Sequence, residues 1–213
     1  MPDTPPPYEV AGPWDLEGLS LARTISRLGV VSSRPATFLW DSASGLDASW
    51  QLWLETCFTP VLAPAFVAVH RLAGVMQPDE IIAIDRGVDP LLSEPLRLRS
   101  LSAALPFLSG KEEMRAHRAW IRVVDRITRG DSPGHLVTLF ALQAALYALP
   151  LASALVAYVW FELESGLPAA YRSRSGSAAE VLAMFADAMP QVQLAMKVEN
   201  GDISGEVSLL RAI

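Results

Sequence analysis

The sequence has little of what usually marks a reactive or metal-binding protein, beginning with cysteine. Cys57 is the only cysteine among 213 residues, which excludes an internal disulfide framework and a zinc or iron–sulfur site built from several thiolates. A chain with one cysteine suits a reducing compartment, so we expect a cytoplasmic protein. The apolar sequence around Cys57 predicts a small buried residue rather than a reactive thiol.

Charged residues are also scarce. They make up 19% of the chain, below the roughly 25% of an average soluble domain. The 17 Lys and Arg against 23 Asp and Glu give a net charge of −6. Nucleic-acid binding needs clustered basic residues, so this balance predicts no nucleic-acid partner. The first 15 residues lack the basic and apolar regions of a secretory signal, and we expect the protein to stay where it is made.

Recognised catalytic and cofactor motifs are missing as well. The sequence contains no G-x-S-x-G or S-x-x-K motif and no glycine-rich phosphate loop. The three histidines, His70, His117 and His135, lack the spacing that places two ligands on one helical face. Glu162 and Glu164 end an apolar stretch, and we interpret them as its return to solvent rather than an acid–base pair. The sequence therefore predicts no catalytic residue, no metal site and no cofactor, and a protein that is not an enzyme.

Apolar residues recur at helical spacing throughout the chain, which predicts an all-α fold. Five of the 16 prolines lie in residues 1–13, an expected disordered lead-in. One all-α domain, a bundle of about eight helices, should follow over residues 14–196. The predicted helices cover residues 14–29, 47–58, 61–72, 81–86, 91–105, 111–129, 136–149, 151–163 and 177–196. For the tail, residues 197–213, two weak strands, a helical turn and disorder are all admissible.

Capping residues and prolines set the expected limits of the second and third of these helices. Asp47 or Ser49 is the predicted N-cap of the second, because both side chains accept hydrogen bonds from free helical N–H groups. Pro60 and Pro64 are expected to kink or break the chain before the third.

One apolar stretch is long enough to raise the question of a membrane. Residues 136–161 contain no charged side chain over 26 positions, and about 20 apolar residues suffice for a transmembrane helix. Pro150 divides the stretch, and neither half alone reaches that length. We therefore expect two central core helices and no membrane partner.

Basic residues concentrate in one region in spite of the negative net charge. Residues 97–129 contain eight basic and three acidic side chains. Five arginines there repeat at helical spacing on one face, opposite Ile121, Val124 and Ile127. They are Arg115, Arg118, Arg122, Arg126 and Arg129. This arginine stripe is either a solvated helix face or a docking surface for an acidic partner.

Three stretches of the sequence share residues with one known family. The first contains Ser33, Pro35, Trp40, Ser42, Ser44, Gly45, Leu46 and Asp47; the second Asp85, Leu91, Glu94, Arg97 and Ser100; the third Gly134, His135, Ala154, Ala157, Tyr158, Ala169, Ala170, Arg172, Gly176 and Ser177. In these residues the chain resembles the UreF-type urease accessory proteins. It departs from their pattern at residues 37–39, where Thr, Phe and Leu replace a double glycine, and at Asp47, where the family has glutamate.

The resemblance implies an all-α protein without chemistry of its own that forms a homodimer. Proteins of this family bridge a companion urease accessory protein and a nickel-handling GTPase during assembly of the urease nickel centre. The matched positions Ser44, Gly45, Asp47 and Arg172 are then candidates for partner contacts or loop geometry. A GTPase also suits an arginine stripe, so its first four arginines join the partner-binding candidates.

Two alternatives come from other classes of protein. The first is a membrane-associated helical protein anchored through residues 136–161, with residues 111–129 as its basic flank. The second is a helical ligand-binding enzyme domain. Solubility without detergent argues against the first, and a bound cofactor or measurable turnover argues for the second.

Overall fold

The computed structural model of the protein describes residues 37–108, 117–168 and 177–197. These residues form helices joined by short turns, with no strand among them, and the predicted all-α class is confirmed. The lead-in 1–13, the predicted helix 14–29, Arg115, Arg172 and the tail beyond residue 197 lie outside the described residues.

The described helices follow most of the predicted ones, with their ends shifted by a few residues. They are α1 Leu46–Trp53, α2 Ala63–Gly74, α3 Pro78–Val88, α4 Glu94–Leu108, α5 Arg118–Thr128, α6 Leu136–Leu146, α7 Leu151–Gly166, α8 Ser177–Asp187 and α9 Met189–Lys197. A π-helical segment, Leu54–Leu62, joins α1 to α2, and a 3-10 turn, Asp89–Leu91, follows α3.

Residues 46–74 form one uninterrupted helix, so of the kink or break expected at Pro60 and Pro64 the break does not occur. Between α1 and α2 the helix widens to the π form, in which hydrogen bonds join residues five apart. In an α-helix the ring of Pro60 would press against the carbonyl of Thr56, and the wider turn leaves room for it. Pro64 is the second residue of α2 and follows directly after the π-helical segment, inside the continuous helix.

Helices α6 and α7 lie at the centre of the bundle, as predicted for the two halves of the uncharged stretch. Most side chains of both are buried, and α6 packs against α2, α3, α4 and α7. Aromatic rings fill the space between three of these helices. The Tyr158 ring on α7 lies 5.4 Å from Phe140 of α6 and 5.3 Å from Phe66 of α2, measured between centroids.

The stretch considered as a membrane anchor is divided between α6 and α7, of 11 and 16 residues. Each is shorter than the roughly 20 residues that a membrane span needs. Among the described helices, the one long and apolar enough to cross a membrane is residues 46–74. In its most apolar window 61% of the residues are buried inside the bundle, as they also are in the core helix of a soluble protein.

The last predicted helix is in fact two, α8 and α9, separated at Ala188. Pro190 follows in the first turn of α9, because proline is tolerated there but not inside a continuing helix. Helix α8 packs on α7, and α9 packs on α2 and α7. The indole N–H of Trp50 donates to the carbonyl oxygen of Met184 at 2.7 Å, which ties α1 to α8.

Candidate functional site

Part of the first stretch of the resemblance forms a tight turn before α1. The Ser44 hydroxyl donates to the carboxylate of Asp41, and the Gly45 N–H donates to the Asp41 carbonyl oxygen at 3.1 Å. Hydrogen bonds to its carboxylate, that of Ser44 first, lower the pKa of Asp41. Gly45 has a φ of 84°. Asp47 is exposed in the first turn of α1, where a negative charge interacts favourably with the helix dipole.

Ser49 holds this turn together from inside. Its hydroxyl donates to the carbonyl oxygen of Gly45 at 2.6 Å and accepts the N–H of Asp41 at 3.1 Å. The N-cap of α1 is Gly45, so neither Asp47 nor Ser49 is the cap that the sequence predicted. The turn therefore has internal hydrogen bonds and leaves the Ser44 and Asp47 side chains exposed.

The described arginines of the stripe differ in what binds them. Arg118 and Arg122 are exposed and form no ion pair with any described residue. Arg126 is half-buried, with Nη1 at 2.5 Å from Asp79 and Nε at 2.8 Å from Asp131. Arg126 thus holds α5 against α3 and the following turn, whereas Arg118 and Arg122 offer their guanidinium groups to solvent.

The buried face of α5 differs from the predicted one. Trp120 and Ile127 are buried, whereas Ile121 is 40% exposed and Val124 is partly buried. The side of α5 that faces the bundle contains Trp120, Val123 and Ile127, so it is rotated by about one residue, or about 100°, from the predicted face. Ile121 therefore adds an apolar side chain to the surface beside the stripe.

A buried carboxylate on α3 organises the start of α6. Asp85 is fully buried and accepts three hydrogen bonds: the Ser132 hydroxyl at 2.5 Å, the Gly134 N–H at 2.7 Å and the His135 N–H at 2.8 Å. A helix N-terminus carries free N–H groups and a partial positive charge. Asp85 supplies both an acceptor and a negative charge there, so one helix caps another.

His135 extends this network towards α4. Its Nδ1 lies 3.2 Å from the Ser100 hydroxyl oxygen, and its Nε2 lies 3.2 Å from Oδ1 of Asp89. Because a carboxylate only accepts, Nε2 carries the proton and Nδ1 accepts the Ser100 hydroxyl. Burial lowers the pKa of His135, against the smaller opposing effect of the Asp85 and Asp89 carboxylates. His135 is thus a neutral imidazole at neutral pH.

Ser100, His135 and Asp89 are the residue types of a hydrolytic triad, but they are closed off from substrate. Ser100 and His135 are both fully buried, and the Ser100 oxygen also accepts the N–H of Leu136 at 3.1 Å. A nucleophile has to reach the carbonyl that it attacks. These three residues instead tie α4 and α6 to the 3-10 turn.

A second buried carboxylate corrects the expectation that Glu162 marks a return to solvent. Glu162 of α7 is fully buried and accepts hydrogen bonds from the Tyr158 hydroxyl at 2.6 Å and from the N–H groups of Thr37 and Phe38 at 2.7 and 3.0 Å. Burial raises the pKa of Glu162, and these hydrogen bonds oppose the rise. The pKa of Tyr158 is raised well above its ordinary value by burial first and by Glu162 second.

Cys57 lies in the π-helical segment and is 2% exposed, which confirms the predicted buried residue. Burial, and to a smaller extent the charge of Glu162, raises the pKa of its thiol to about 12. A thiol with so high a pKa is almost entirely protonated at neutral pH, so Cys57 packs as an apolar side chain.

The described residues offer no cluster of three or more His, Cys, Asp and Glu side chains that could hold a metal ion. Asp85 and Glu162 are instead balanced by hydrogen-bond donors of the chain itself. No protein-family model, curated protein sequence or solved structure matches the chain. Its function therefore has to be inferred from the turn, the stripe and the two buried carboxylates.

Proposed function

We propose that the chain is a non-enzymatic urease accessory protein of the UreF type. It would act in the cytoplasm as an adaptor that bridges a companion urease accessory protein and a nickel-handling GTPase while nickel is inserted into urease. The proposal is carried by a contact between two stretches of the resemblance. Asp85 and Ser100 belong to the second stretch, Gly134 and His135 to the third, and the four meet in one buried network. Residues that match the family in separate parts of the sequence are thus joined by hydrogen bonds in the folded protein.

The described surface offers two places where partners can bind. One is the turn that exposes Ser44 and Asp47, and the other is the stripe at Arg118 and Arg122. They belong to different elements, and no hydrogen bond or ion pair joins them within the described part of the chain. An adaptor needs two separate faces, so we assign one partner to each.

We further propose a homodimer formed through α4. Leu98 and Leu105 lie seven residues apart on this helix and are 57% and 53% exposed, with the partly buried Leu101 between them. Leucines at this spacing form an apolar strip that another helix covers. Light scattering should give a dimer for the wild-type chain and a monomer for the Leu98→Glu, Leu105→Glu variant. A monomeric wild-type chain would contradict this interface.

The deciding experiment is a pull-down of the purified chain with a companion urease accessory protein and with a nickel-handling GTPase. We expect a complex with each at micromolar concentrations. Replacing Arg118 and Arg122 by Glu should weaken one complex by about tenfold, because it reverses the charge that an acidic partner meets. No complex with either protein would overturn the proposal.

A matched control separates the stripe from a general effect of charge. Thr128 is exposed on the same helix, six residues after Arg122 and about 120° from it around the helix axis. Thr128→Glu therefore adds negative charge to α5 without entering the stripe, and binding should persist. Equal weakening by Thr128→Glu and by the single change Arg122→Glu would show that the stripe is not a specific contact.

A further inference from the structure

A single side chain accepts the hydrogen bonds of the chain segment that precedes the turn. Thr37 and Phe38 are not part of a helix, and both of their backbone N–H groups donate to Oε2 of Glu162. Both residues are fully buried. A buried N–H without an acceptor is costly, so the docking of this segment depends on Glu162.

The side chains of the same two residues complete the docking. The hydroxyl oxygen of Thr37 accepts the indole N–H of Trp53 at 3.1 Å. The Phe38 and Trp50 rings pack in a T-shaped arrangement at a centroid distance of 4.9 Å, and Phe38 lies against Gly166 of α7. A Cβ at Gly166 would overlap both the ring and the carbonyl oxygen of Phe38. The segment therefore fills a notch that exists because residue 166 has no side chain.

The docked segment also has one unfavourable feature. The indole N–H of Trp40, two residues after Phe38, is buried and has no hydrogen-bond partner in the described part of the chain. Burying a donor without an acceptor raises the free energy of the docked form. Undocking would expose this donor to water and recover part of that cost.

The rest of the bundle has its own contacts. The network around Asp85 and His135 joins α3, α4 and α6, and residues 37–40 contribute no hydrogen bond to it. Helix α6 packs against α2, α3, α4 and α7. Loss of the docked segment therefore leaves the main helix contacts in place.

We propose that residues 37–40 form a detachable strap, latched by Glu162, that opens while the helical bundle stays folded. The turn at residues 41–45 lies between the strap and α1, so an open strap no longer holds that turn from its N-terminal side. The effect of strap opening on partner binding rests on the proposed function, because Ser44 and Asp47 are the candidate contacts next to the strap. The opening of the strap is independent of the proposed function.

Amide hydrogen exchange of the full chain, followed by NMR, tests the strap. In the wild-type protein the Thr37 and Phe38 amides should exchange faster than those of α6, because local opening costs less than global unfolding. Glu162→Gln keeps the shape of the latch but removes its charge and one acceptor oxygen. It should accelerate exchange at Thr37 and Phe38 by about tenfold and leave the α6 amides unchanged.

A second variant reaches the strap from the other side. Gly166→Ala places a methyl group where the Phe38 ring lies and leaves Glu162 intact, so it should accelerate the same two amides. Gly74→Ala is the control, because a Cβ there meets no atom within 4 Å, and it should change neither.

Three outcomes would overturn the strap. In the first, Thr37 and Phe38 exchange as slowly as α6 in the wild-type chain, which makes them part of the cooperative core. In the second, Glu162→Gln and Gly166→Ala accelerate the exchange of all amides together. In the third, neither variant changes the exchange of Thr37 and Phe38. No partner protein enters this experiment, so its failure and the failure of the adaptor proposal are distinguishable.

Discussion

Asp85 and His135 are 50 positions apart in the sequence, yet the carboxylate of the first accepts the backbone N–H of the second at 2.8 Å. The same carboxylate accepts the N–H of Gly134 and the hydroxyl of Ser132. The start of α6, a central helix of the described bundle, is therefore capped by a side chain from α3. Separating these two helices would leave a buried charge and three buried donors without partners.

Removing that carboxylate should destabilise the protein strongly. Asp85→Ala leaves two backbone N–H groups and one hydroxyl unsatisfied, and we expect a loss of about 3 to 5 kcal/mol in the free energy of unfolding. Urea denaturation followed by circular dichroism measures it. Asp125→Ala, at an exposed position of α5, should cost less than about 0.5 kcal/mol. Equal effects of the two changes would show that Asp85 does not hold α6.

Stability should fall as the pH drops below about 6.5, and His135 should account for part of the fall. An unfolded histidine titrates near pH 6.5, whereas burial lowers the pKa of His135 in the folded protein. Between the two pKa values the unfolded chain binds more protons, so acid favours unfolding. His135→Gln should flatten this slope when urea denaturation is compared at pH 7.5 and 5.5.

His70 serves as an internal comparison for the same experiment. Burial lowers the pKa of this residue too, although its Nε2 lies 2.9 Å from the carbonyl oxygen of Leu149. Its contribution has the same sign and persists in the His135→Gln variant, so the slope should be reduced but not abolished. An unchanged slope would mean that His135 is not the neutral buried group described above.

Alanine substitutions at the two glycines on either side of the turn before α6 distinguish the cost of backbone strain from the cost of steric overlap. Gly130 and Gly134 have φ values of 81° and 80°, but a Cβ at Gly130 meets open space, whereas one at Gly134 would lie 2.6 Å from Cγ2 of Ile127. Gly130→Ala should cost about 1 to 2 kcal/mol from the left-handed backbone alone. Gly134→Ala should cost more, because Ile127 is buried and has to shift. Thermal unfolding measures the difference, and equal unfolding midpoints for the two variants would contradict the expected larger cost at Gly134.

Cys57 should be unreactive in the folded protein and reactive in the unfolded one. Its pKa of about 12 leaves very little thiolate at pH 8, and its side chain is buried. Titration with a disulfide reagent should therefore give no fast reaction in buffer and one thiol per chain in guanidinium chloride. Rapid labelling without denaturant would show that the π-helical segment opens on its own.

Much of the helical architecture could be predicted from local sequence. The uncharged stretch with Pro150 in its middle predicts two core helices, and α6 and α7 are those helices, because burying apolar side chains decides where such segments lie. The break considered at Pro60 does not occur, since the wider π turn accommodates a proline that would break an α-helix. The predicted phase of α5 was wrong by about one residue, because Trp120 and Val123 rather than Ile121 and Val124 face the bundle.

The buried carboxylates could not be located from the sequence, since the groups that bind them are distant along the chain. Asp85 has one local indication: it lies at helical spacing between Ile81 and Val88, both of which are fully buried. Glu162 has another, because it follows Tyr158 by four residues on an apolar helix. Neither spacing identifies the backbone N–H groups that complete the sites, since those come from chain segments 49 to 125 positions away.

The π-helical segment also determines how the sequence should be compared with others. A wider turn uses more residues per revolution than an α turn, so α2 is rotated about the common axis relative to α1. Trp50 thereby faces α8 while Phe66 faces Phe140 of α6. A related protein with a plain α-helix in this region would need fewer residues there to keep both contacts. An alignment of its sequence with this one should therefore have a gap opposite residues 54–62, although the helix is continuous in both proteins.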